Sequence, residues 1–296
     1  MEKFEFKGHP ENADAAYWEA EKEKWLNGSD GLTGRHYFYL TMAHLKTIKG
    51  KTIRPVYREV DKFVFNEYQR CLELGKDLLI IHRKEYGISS MFGANESIYN
   101  ALIHNGCVSL LTSSNQKVLT SMFIEKVRFF FEHLPLIVTI KNKRNNWLNG
   151  IKLFGQKFGS IIYALTTRKS DRLISFRAQY IFIDNIFHKK NTLEVLKASQ
   201  ACVKMGFNKI GTIVMAGSCD DADPKIIDLV EEIVMNADEL NVRVLFIPGN
   251  LGIEEYPLPQ EAKKHILDLR EIFKDPDALK AFIKRYPLTI EEIFTK

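Results

Sequence analysis

Residues 76–90, KDLLIIHRKEYGISS, combine an apolar run with a glycine and two hydroxyl residues, a pattern that can hold a phosphate. A β-strand followed by a turn and a helix start directs backbone N–H groups and the helix N-terminus at an anion. Gly87 permits close approach of the backbone, and the hydroxyl of Ser89 or Ser90 could bind a magnesium ion. The segment therefore predicts a nucleotide phosphate loop or, as the simpler alternative, an ordinary strand-to-helix turn.

The main departure from a standard phosphate loop is the residue after the glycine. The standard loop has a lysine directly after its last glycine, and this chain has Ile88 at that position. Taken alone, the mismatch favours the ordinary turn. If the loop does bind phosphate, the positive charge could come instead from Arg83 or Lys84, which lie just upstream of the glycine.

A second chemical element is residues 180–188, YIFIDNIFH, in which an apolar, β-rich run ends in Asp184. A carboxylate at the carboxyl end of a buried strand is held rigidly and faces the ligand crevice, as a magnesium-binding aspartate requires. An ATPase normally has a glutamate next, which orients the attacking water. Here the next residue is Asn185, which can hydrogen-bond a water but cannot accept its proton. An aspartate that caps the following segment is the equally weighted alternative.

A third element is the run IGTIVMA, which ends in Gly217, Ser218 and Cys219. Small polar residues at the carboxyl end of a core strand could sense the γ-phosphate of a nucleotide, although a simple turn fits these residue types equally well. The three elements are more informative together, because they follow one another on successive core strands. Their order matches an additional-strand P-loop ATPase, in which one strand separates the phosphate-loop strand from the magnesium-aspartate strand.

Continuous apolar, β-rich runs predict the strands that must position these residues. The runs occupy residues 78–82, 108–112, 180–184, 210–216 and 242–247, and they are typical of strands buried on both faces of a parallel sheet. Helical patterns over residues 58–75, 89–104, 116–132, 191–205 and 224–240 lie between them. This alternation predicts a three-layer α/β/α fold with a mostly parallel central sheet. Residues 136–141, 151–154 and 160–166 predict strands of an antiparallel excursion.

The two ends of the chain differ from this alternation. Residues 14–26 have helical spacing, and residues 32–57 predict an irregular, aromatic connector. Short helices are predicted over residues 261–273, 276–284 and 289–294. We therefore divide the chain into an N-terminal arm (1–57), an ATPase-type core (58–250) and a C-terminal helical segment (251–296).

Composition narrows the class of protein. With 296 residues and 45% hydrophobic content, the chain can bury a sizeable core. It contains no apolar run of eighteen residues and starts with a polar, acidic segment, which predicts a soluble, intracellular protein.

The four cysteines form no C-x-x-C pair, so we expect neither a disulfide framework nor a zinc site. Residues 141–157 hold five basic residues and no acid, which fits a solvated loop or contact with a polyanion.

The chain resembles the ATPase domain of the large terminase subunit of tailed bacteriophages, the motor that pumps double-stranded DNA into capsids. The resemblance runs from about residue 32 to the C-terminus. It is carried by TGRHYFYL, PVYREVDKFVF, HRKEYGISS, TSSNQKVLTSMF, ISFRAQYIFIDN, IGTIVMAGS and RYPLTIEEIF, which occur in that order.

The resemblance implies an additional-strand P-loop ATPase that uses ATP and Mg²⁺. The residues that it places in the nucleotide site, the Walker A region, are Arg83, Lys84, Glu85, Tyr86, Gly87, Ile88, Ser89 and Ser90. Lys84, rather than Arg83, takes the role of the missing lysine, and Ser89 with Asp184, the Walker B aspartate, holds magnesium. Gly217 and Ser218 couple hydrolysis to movement. Arg177 contacts phosphate or a neighbouring subunit, with surface pairing as the simpler role.

Two departures from the family pattern qualify these expectations. Asn185 stands where the family has its catalytic glutamate, and loss of a general base typically lowers the rate by ~10²- to 10⁴-fold. Glu194 on the following helix is a possible substitute. The family's C-terminal nuclease has no room after Lys296, so we expect either a truncated ATPase domain or the product of a split gene.

The implied function is a packaging motor that hydrolyses ATP. Its expected partners are double-stranded DNA, the portal protein and the small terminase subunit, with assembly into a homo-oligomeric ring and no membrane. DNA contact is expected to be electrostatic and salt-sensitive, with residues 141–157 as the contact region. The expected location is the host cytoplasm, with transient docking on the procapsid. Two alternatives remain open: a nucleotide- or DNA-binding assembly module of the same fold that has lost turnover, and a helicase-like P-loop ATPase.

Overall fold

A seven-stranded sheet forms the centre of the part of the chain that the structure, a computed structural model, describes: residues 4–47, 49–113, 115–135, 150–153, 159–167, 171–253, 255–256 and 258–295. The strands are β1 (Asp77–Ile81), β2 (Val108–Ser113), β3 (Gly150–Leu153), β4 (Ser160–Thr166), β5 (Tyr180–Ile183), β6 (Thr212–Gly217) and β7 (Val242–Phe246). Their order across the sheet is β7-β1-β6-β5-β2-β4-β3. Neighbours run parallel, except that β3 is antiparallel to β4.

Helices connect the strands and cover the sheet. They are α1 (Ala15–Asn27), α2 (Gly34–Met42), α3 (Glu59–Glu73), α4 (Glu96–Ile103), α5 (Gln116–Ser121), α6 (Phe129–His133), α7 (Asp171–Ile174), α8 (Thr192–Cys202), α9 (Pro224–Met235), α10 (Pro259–Ile272), α11 (Pro276–Arg285) and α12 (Glu291–Phe294). Two π-helical segments, Ser89–Asn95 and Met122–Arg128, precede α4 and α6, and a 3₁₀ turn spans Ile186–His188. Two short antiparallel pairs, Leu45–Lys46 with Thr52–Ile53 and Lys204–Met205 with Asn208–Lys209, lie outside the sheet.

The predicted fold class is confirmed. Burial of the strands explains why they could be predicted from continuous apolar runs in the sequence. Every residue of β1 and β5 is buried, because helices cover both faces of the sheet. The side chains of the two faces form two separate apolar clusters. One strand, β6, lies between β1 and β5, as an additional-strand P-loop fold requires.

The prediction of an irregular connector over residues 32–57 was wrong for its first third. Residues Gly34–Met42 form helix α2, whose N-terminus is capped by the Thr33 hydroxyl accepting from the His36 N–H. The aromatic composition that suggested irregular structure instead reflects burial, since every residue of α2 except Arg35 is buried. A Cβ on Gly34 would lie 2.0 Å from the backbone oxygen of Trp25, so only glycine permits the close packing of α2 on α1.

The antiparallel excursion is smaller than predicted. Strand β3 is antiparallel to β4, as expected, but β4 itself runs parallel to β2 and belongs to the main sheet. The strand predicted over residues 136–141 lies outside the described residues. Polar, glycine-bearing turns on both sides of β4 suggested a hairpin. Whether β4 runs parallel or antiparallel to its neighbours depends on which strands it pairs with.

An ion pair joins the N-terminal arm to the helix that follows the first core strand. The Arg35 Nε donates to the Glu96 carboxylate at 2.8 Å, and the Tyr68 hydroxyl donates to the same oxygen at 3.1 Å. The Arg35 guanidinium also lies 4.7 Å from the ring centre of Tyr99. The Glu96 side chain is fully buried, so this pair holds α2 against α4.

We expect Arg35→Met to lower the free energy of unfolding by about 3–5 kcal/mol, because it leaves the buried Glu96 carboxylate without its cation. Urea unfolding followed by circular dichroism measures this change. The matched control is Arg70→Met, which removes an exposed partner of Glu67 at 3.9 Å and should cost less than about 1 kcal/mol. Equal effects of the two substitutions would contradict a special role for the Arg35 pair.

Candidate functional site

The carboxyl ends of three adjacent strands bring the predicted site residues to one edge of the sheet. In the register, Gly217 at the end of β6 pairs with Ile81 at the end of β1, and Ile183 at the end of β5 pairs with Met215. The loops that follow these strands therefore lie side by side. Gly217 has no room for a side chain, because a Cβ there would meet Ile186 Cγ1 at 2.9 Å.

The loop after β1 has the conformation of an anion-binding turn. Glu85 and Gly87 have positive φ values of 64° and 101°, and turns with such residues often form anion-binding concavities. Among the described residues, no hydrogen-bond acceptor lies within reach of the backbone N–H groups of residues 84 to 89. The helix starts directly afterwards, where the Ser90 and Met91 N–H groups donate to the Gly87 oxygen. These six N–H groups can therefore bind an anion at the start of the helix.

A buried anchor keeps this loop in place. Tyr86 is almost fully buried, and its backbone oxygen accepts from Arg58 at 3.3 Å. The Arg58 guanidinium also forms two hydrogen bonds with the buried Asp61 carboxylate, of 2.8 and 2.7 Å. Burial raises the pKa of the Tyr86 hydroxyl, which lies 3.4 Å from Asp61. The loop is thus attached to the start of α3 in addition to its own short-range contacts.

The two basic residues upstream of the glycine point in different directions. Arg83 donates to the backbone oxygen of Gly252 at 2.8 Å and is therefore attached to the C-terminal segment. Lys84 is 54% exposed and forms an ion pair with Asp220 at 3.2 Å, in the loop after β6. Ser218, predicted with Gly217 for coupling, is partly buried in that same loop. Lys84 must therefore exchange Asp220 for a phosphate if it takes the role of the missing lysine.

The predicted pair Ser89 and Asp184 is in direct contact. The Ser89 hydroxyl donates to Asp184 Oδ1 at 3.2 Å, across a sequence separation of 95 residues. The Asp184 N–H donates to the Thr112 oxygen at 2.9 Å, which fixes the carboxylate to the end of β2. Asp184 is 7% exposed, and burial raises the pKa of its carboxyl group, against the lowering effects of Lys126, Ser89 and other neighbours.

Two lysines near Asp184 were missed by the sequence analysis. Lys189 is fully buried, donates to the Thr167 hydroxyl at 2.7 Å and, because of burial, has its pKa lowered to about 7. Lys126 is half-buried on the second π-helical segment, and burial lowers its pKa although Asp184 opposes that shift. Lys126 is four residues from each of the buried Met122 and Phe130, so helical periodicity could have placed it near the core. Nothing in the sequence indicates that Lys189 is buried.

Asn185 adopts a left-handed conformation directly after Asp184. Its φ of 55° and ψ of 52° are tolerated by asparagine better than by most residues, and the 3₁₀ turn Ile186–His188 follows. The Asn185 backbone N–H lowers the pKa of the Asp184 carboxyl group. The structure does not place Glu194 or Arg177 among the residues around Asp184. Glu194 is exposed on the first turn of α8, and Arg177 is exposed and donates to the backbone oxygens of Ile174 and Phe176.

Two clefts border the loop. The first, of about 460 Å³, lies between the first short strand pair, the helix start and the second π-helical segment, and its lining includes Ser90, Ala94 and Lys126. The second, of about 710 Å³, lies between the loop and the C-terminal helices. Its walls are Arg58, Arg83, Glu85, Gly252, Ile253, Glu255, Tyr256, His265, Ile266, Leu269, Phe282 and Tyr286. In the second cleft the Tyr256 and His265 rings stack at 5.0 Å, which provides a flat aromatic surface.

The oxygen atoms of Ser89 and Asp184 fit magnesium as it is held in nucleotide sites. Mg²⁺ is usually bound by one or two protein oxygens, with substrate phosphates and waters as the other ligands. In the described part of the chain, no group of three or more histidine, cysteine, aspartate or glutamate side chains could hold a metal by itself. One hydroxyl and one buried carboxylate are therefore a donor set for a metal that arrives with a phosphate.

Comparison with solved structures shows that the chain shares the fold of phage large terminases. The large terminase of bacteriophage HK97 matches with a TM-score of 0.55 and 11% sequence identity, over 85% of this chain and 53% of that chain. The large terminase of a thermophilic bacteriophage has a TM-score of 0.49 and 13% identity, over 72% of this chain and 48% of that chain. The ATPase domain of a Thermus phage large terminase has a TM-score of 0.45 and 9% identity, over 71% of this chain and 87% of that chain.

The HK97 match confirms, at the level of the fold, the resemblance inferred from the sequence motifs. The chain spans about half the length of the first two terminases. No protein-family model matches it, and no curated protein matches it in sequence. Within the described residues, no helix is both long enough and apolar enough to cross a membrane.

We expect Asp184→Asn to raise the free energy of unfolding at pH 7, because it removes a charge whose burial is unfavourable. As pH rises from the ordinary aspartate value of 3.8 through the raised pKa of the folded protein, the unfolded chain loses its proton first and the wild type loses stability. The advantage of the variant should therefore be present above the folded pKa and disappear below about 3.8.

Urea unfolding measures the difference in the free energy of unfolding between the wild type and the variant. A range of about pH 3 to pH 8 covers the titration of carboxyl groups. Asp268→Asn, at an exposed position on α10, is the control and should leave stability unchanged at every pH. A loss of stability in Asp184→Asn at pH 7 would show that the surrounding lysines over-compensate the cost of burial.

Proposed function

We propose that this chain is the ATP-hydrolysing motor domain of a phage large terminase, which powers the packaging of double-stranded DNA. The observation that carries the proposal is the 3.2 Å hydrogen bond from Ser89 to Asp184, beside a turn whose N–H groups at residues 84 to 89 donate no hydrogen bond within the described residues. A hydroxyl, a strand-end carboxylate and an N–H-lined turn are the parts that a P-loop ATPase uses to hold magnesium and phosphates. The fold shared with the HK97 large terminase supports the choice among P-loop ATPases.

In this proposal the nucleotide lies across the loop. The N–H groups of residues 84 to 89 hold the phosphates, and Lys84 exchanges Asp220 for a phosphate oxygen. The second cleft, with the stacked pair Tyr256 and His265, has the size and aromatic surface that suit a base. Arg83, which joins the loop to Gly252, forms the wall between the phosphate and base regions.

Ser89 and Asp184 would hold Mg²⁺, which neutralises phosphate charge when it is bound. The positive charge of a metal would offset the unfavourable burial of the Asp184 charge, which is why the carboxylate can stay in so dry a position. Asn185, held in the left-handed conformation directly after Asp184, can orient a water through its amide but cannot take its proton. The chain is therefore proposed to hydrolyse ATP slowly.

Coupling would pass from the nucleotide edge to the C-terminal segment. Three contacts connect the strand ends to residues 251–296 and their neighbours: Arg83 to the Gly252 oxygen, the Cys219 thiol to the Lys284 oxygen, and the Gly249 N–H to the Pro287 oxygen. Gly217 and Ser218 lie in the loop that carries Cys219. We propose that this loop and Arg83 transmit the state of the nucleotide, and that Arg177, on the exposed surface, is available to a neighbouring subunit.

The remaining parts of the proposal concern partners. Double-stranded DNA, the portal protein, the small terminase subunit and a homo-oligomeric ring follow from the proposed packaging role, as does activity in the host cytoplasm at the procapsid. The DNA contact proposed for residues 141–157 lies almost wholly outside the described residues. The division into an arm (1–57), a core (58–250) and a C-terminal segment (251–296) is likewise proposed as the functional organisation.

A second function is favoured by one observation. Asn185 cannot act as a general base, so a nucleotide- or DNA-binding assembly module without turnover would have the same residues. Rate measurements separate this module from the motor. A helicase-like ATPase shares the strand order, and strand separation on a forked duplex would identify it, whereas DNA translocation without unwinding would support packaging.

We expect the wild-type chain to bind ATP in the presence of Mg²⁺, and Ser89→Ala to weaken only the magnesium-dependent part of the affinity, by about tenfold. Isothermal titration calorimetry with ATP, with Mg²⁺ and with EDTA, measures both parts. Ser29→Ala is the control, because the Ser29 hydroxyl lies in the turn between α1 and α2 and donates to Asp30. Absence of ATP binding at millimolar concentration would contradict the proposed function.

We expect Asn185→Glu to raise the rate of ATP hydrolysis, by up to ~10²-fold or more, because it supplies the missing proton acceptor. Release of phosphate under saturating ATP measures the rate. Asn185→Gln has the same side-chain length as the glutamate variant but no base, so it controls for the cost of placing a longer residue at a φ of 55°. If the glutamine variant is as fast as the glutamate variant, Asn185 does not occupy the water-positioning site.

A further inference from the structure

Lys126 is a positively charged group beside the Ser89–Asp184 pair that no step of the proposed mechanism uses. It belongs to the π-helical segment Met122–Arg128, which packs against the π-helical segment Ser89–Asn95 that starts at the phosphate loop. It lines the first cleft together with Ser90 and Ala94, which extend from the start of that helix. The ammonium group therefore borders the space next to the proposed magnesium residues.

The charge of Lys126 acts on Asp184. Among the charged neighbours of Asp184, Lys126 has the largest effect on its pKa, which it lowers, and Asp184 in turn raises the pKa of Lys126. Yet the described residues contain no hydrogen-bond or ion-pair partner for its ammonium group, although the side chain is half-buried. A partly buried ammonium ion without a direct partner is unfavourable unless an anion joins it.

Neither of the basic residues upstream of Gly87 lines the first cleft, where Lys46 is the other lysine. Arg83 is attached to Gly252 on the side of the C-terminal segment, and Lys84 is exposed and paired with Asp220 in the loop after β6. Lys189 is fully buried and donates to the Thr167 hydroxyl. Of these four basic residues, Lys126 alone combines partial burial, a position in a cleft beside Ser90 and an ammonium group without a described partner.

We propose that Lys126 binds the terminal phosphates of the nucleotide and so supplies, from a neighbouring helix, the charge that Ile88 cannot supply within the loop. This inference rests on the proposed nucleotide-binding function. The consequence is that the lysine of the phosphate site comes from a separate helix, so its position depends on the packing of the two π-helical segments. A π-helical segment carries one more residue in each turn than an α-helix, and such segments frequently occur at functional sites.

The test compares the affinities of Lys126→Met for ATP and ADP, each with Mg²⁺, and for AMP. A contact with the terminal phosphates predicts a loss of about 10- to 100-fold for ATP, a loss for ADP that is no larger, and no change for AMP. Lys126→Arg keeps the charge and should restore most of the ATP affinity. Lys117→Met removes an exposed lysine from the adjacent helix α5 and should change none of the three affinities.

The outcomes separate this proposal from the proposed function. If the wild type binds Mg·ATP and Lys126→Met binds it equally well, the role of Lys126 is overturned and the nucleotide site stands. An equal loss for ATP, ADP and AMP would show that Lys126 supports the structure and does not contact phosphate, which also overturns the proposal. If the wild type binds no nucleotide, both proposals fail. Should Lys126→Met unfold, as judged by circular dichroism, Lys126→Gln is measured in its place.

Discussion

Asp184 keeps a carboxylate at the end of a parallel strand where water hardly reaches it. Burial of a charge is unfavourable, and burial is the largest influence on the pKa of this group. The surroundings offset that cost only in part, through the Ser89 hydroxyl, the Asn185 N–H and the charges of Lys126 and Lys189. A bound cation would complete this environment, and the position of Asp184 therefore organises the proposed site.

The backbone is as important as the side chains. The loop after β1 has a run of N–H groups without acceptors in the described part of the chain, and two residues with positive φ create the turn that exposes them. The hydrogen bonds within the loop include those from the Ser90 and Met91 N–H groups to the Gly87 oxygen, at its helix end. The loop is also held by other elements, since Arg58 donates to the Tyr86 oxygen and Arg83 donates to the Gly252 oxygen. Because these contacts come from the start of α3 and from the C-terminal segment, a displacement of either element would also shift the backbone of the phosphate loop.

Much of the fold could be predicted because parallel strands buried on both faces have a distinct composition. The runs over β1, β5, β6 and β7 were continuous and apolar, and each ended within two residues of its predicted end. Helix α2 could not be recognised in the same way, since its aromatic residues all face a protein interior and show no alternation of apolar and polar positions. The direction of β4 depended on which strand it pairs with, and a local pattern does not contain that information.

The sequence by itself determined the residue types of the site: a glycine with a following serine, an aspartate at a strand end, an asparagine after it and a fold class that places strand ends together. Only the tertiary structure decided which groups meet. Ser89 and Asp184 are 95 residues apart and become neighbours because β6 separates their strands by one position in the sheet. Lys84, predicted to face phosphate, pairs with Asp220, whereas Lys126 borders the cleft beside Ser90. The physical reason is that the direction of a long, charged side chain depends on the charges and space around it, which elements distant in the sequence provide.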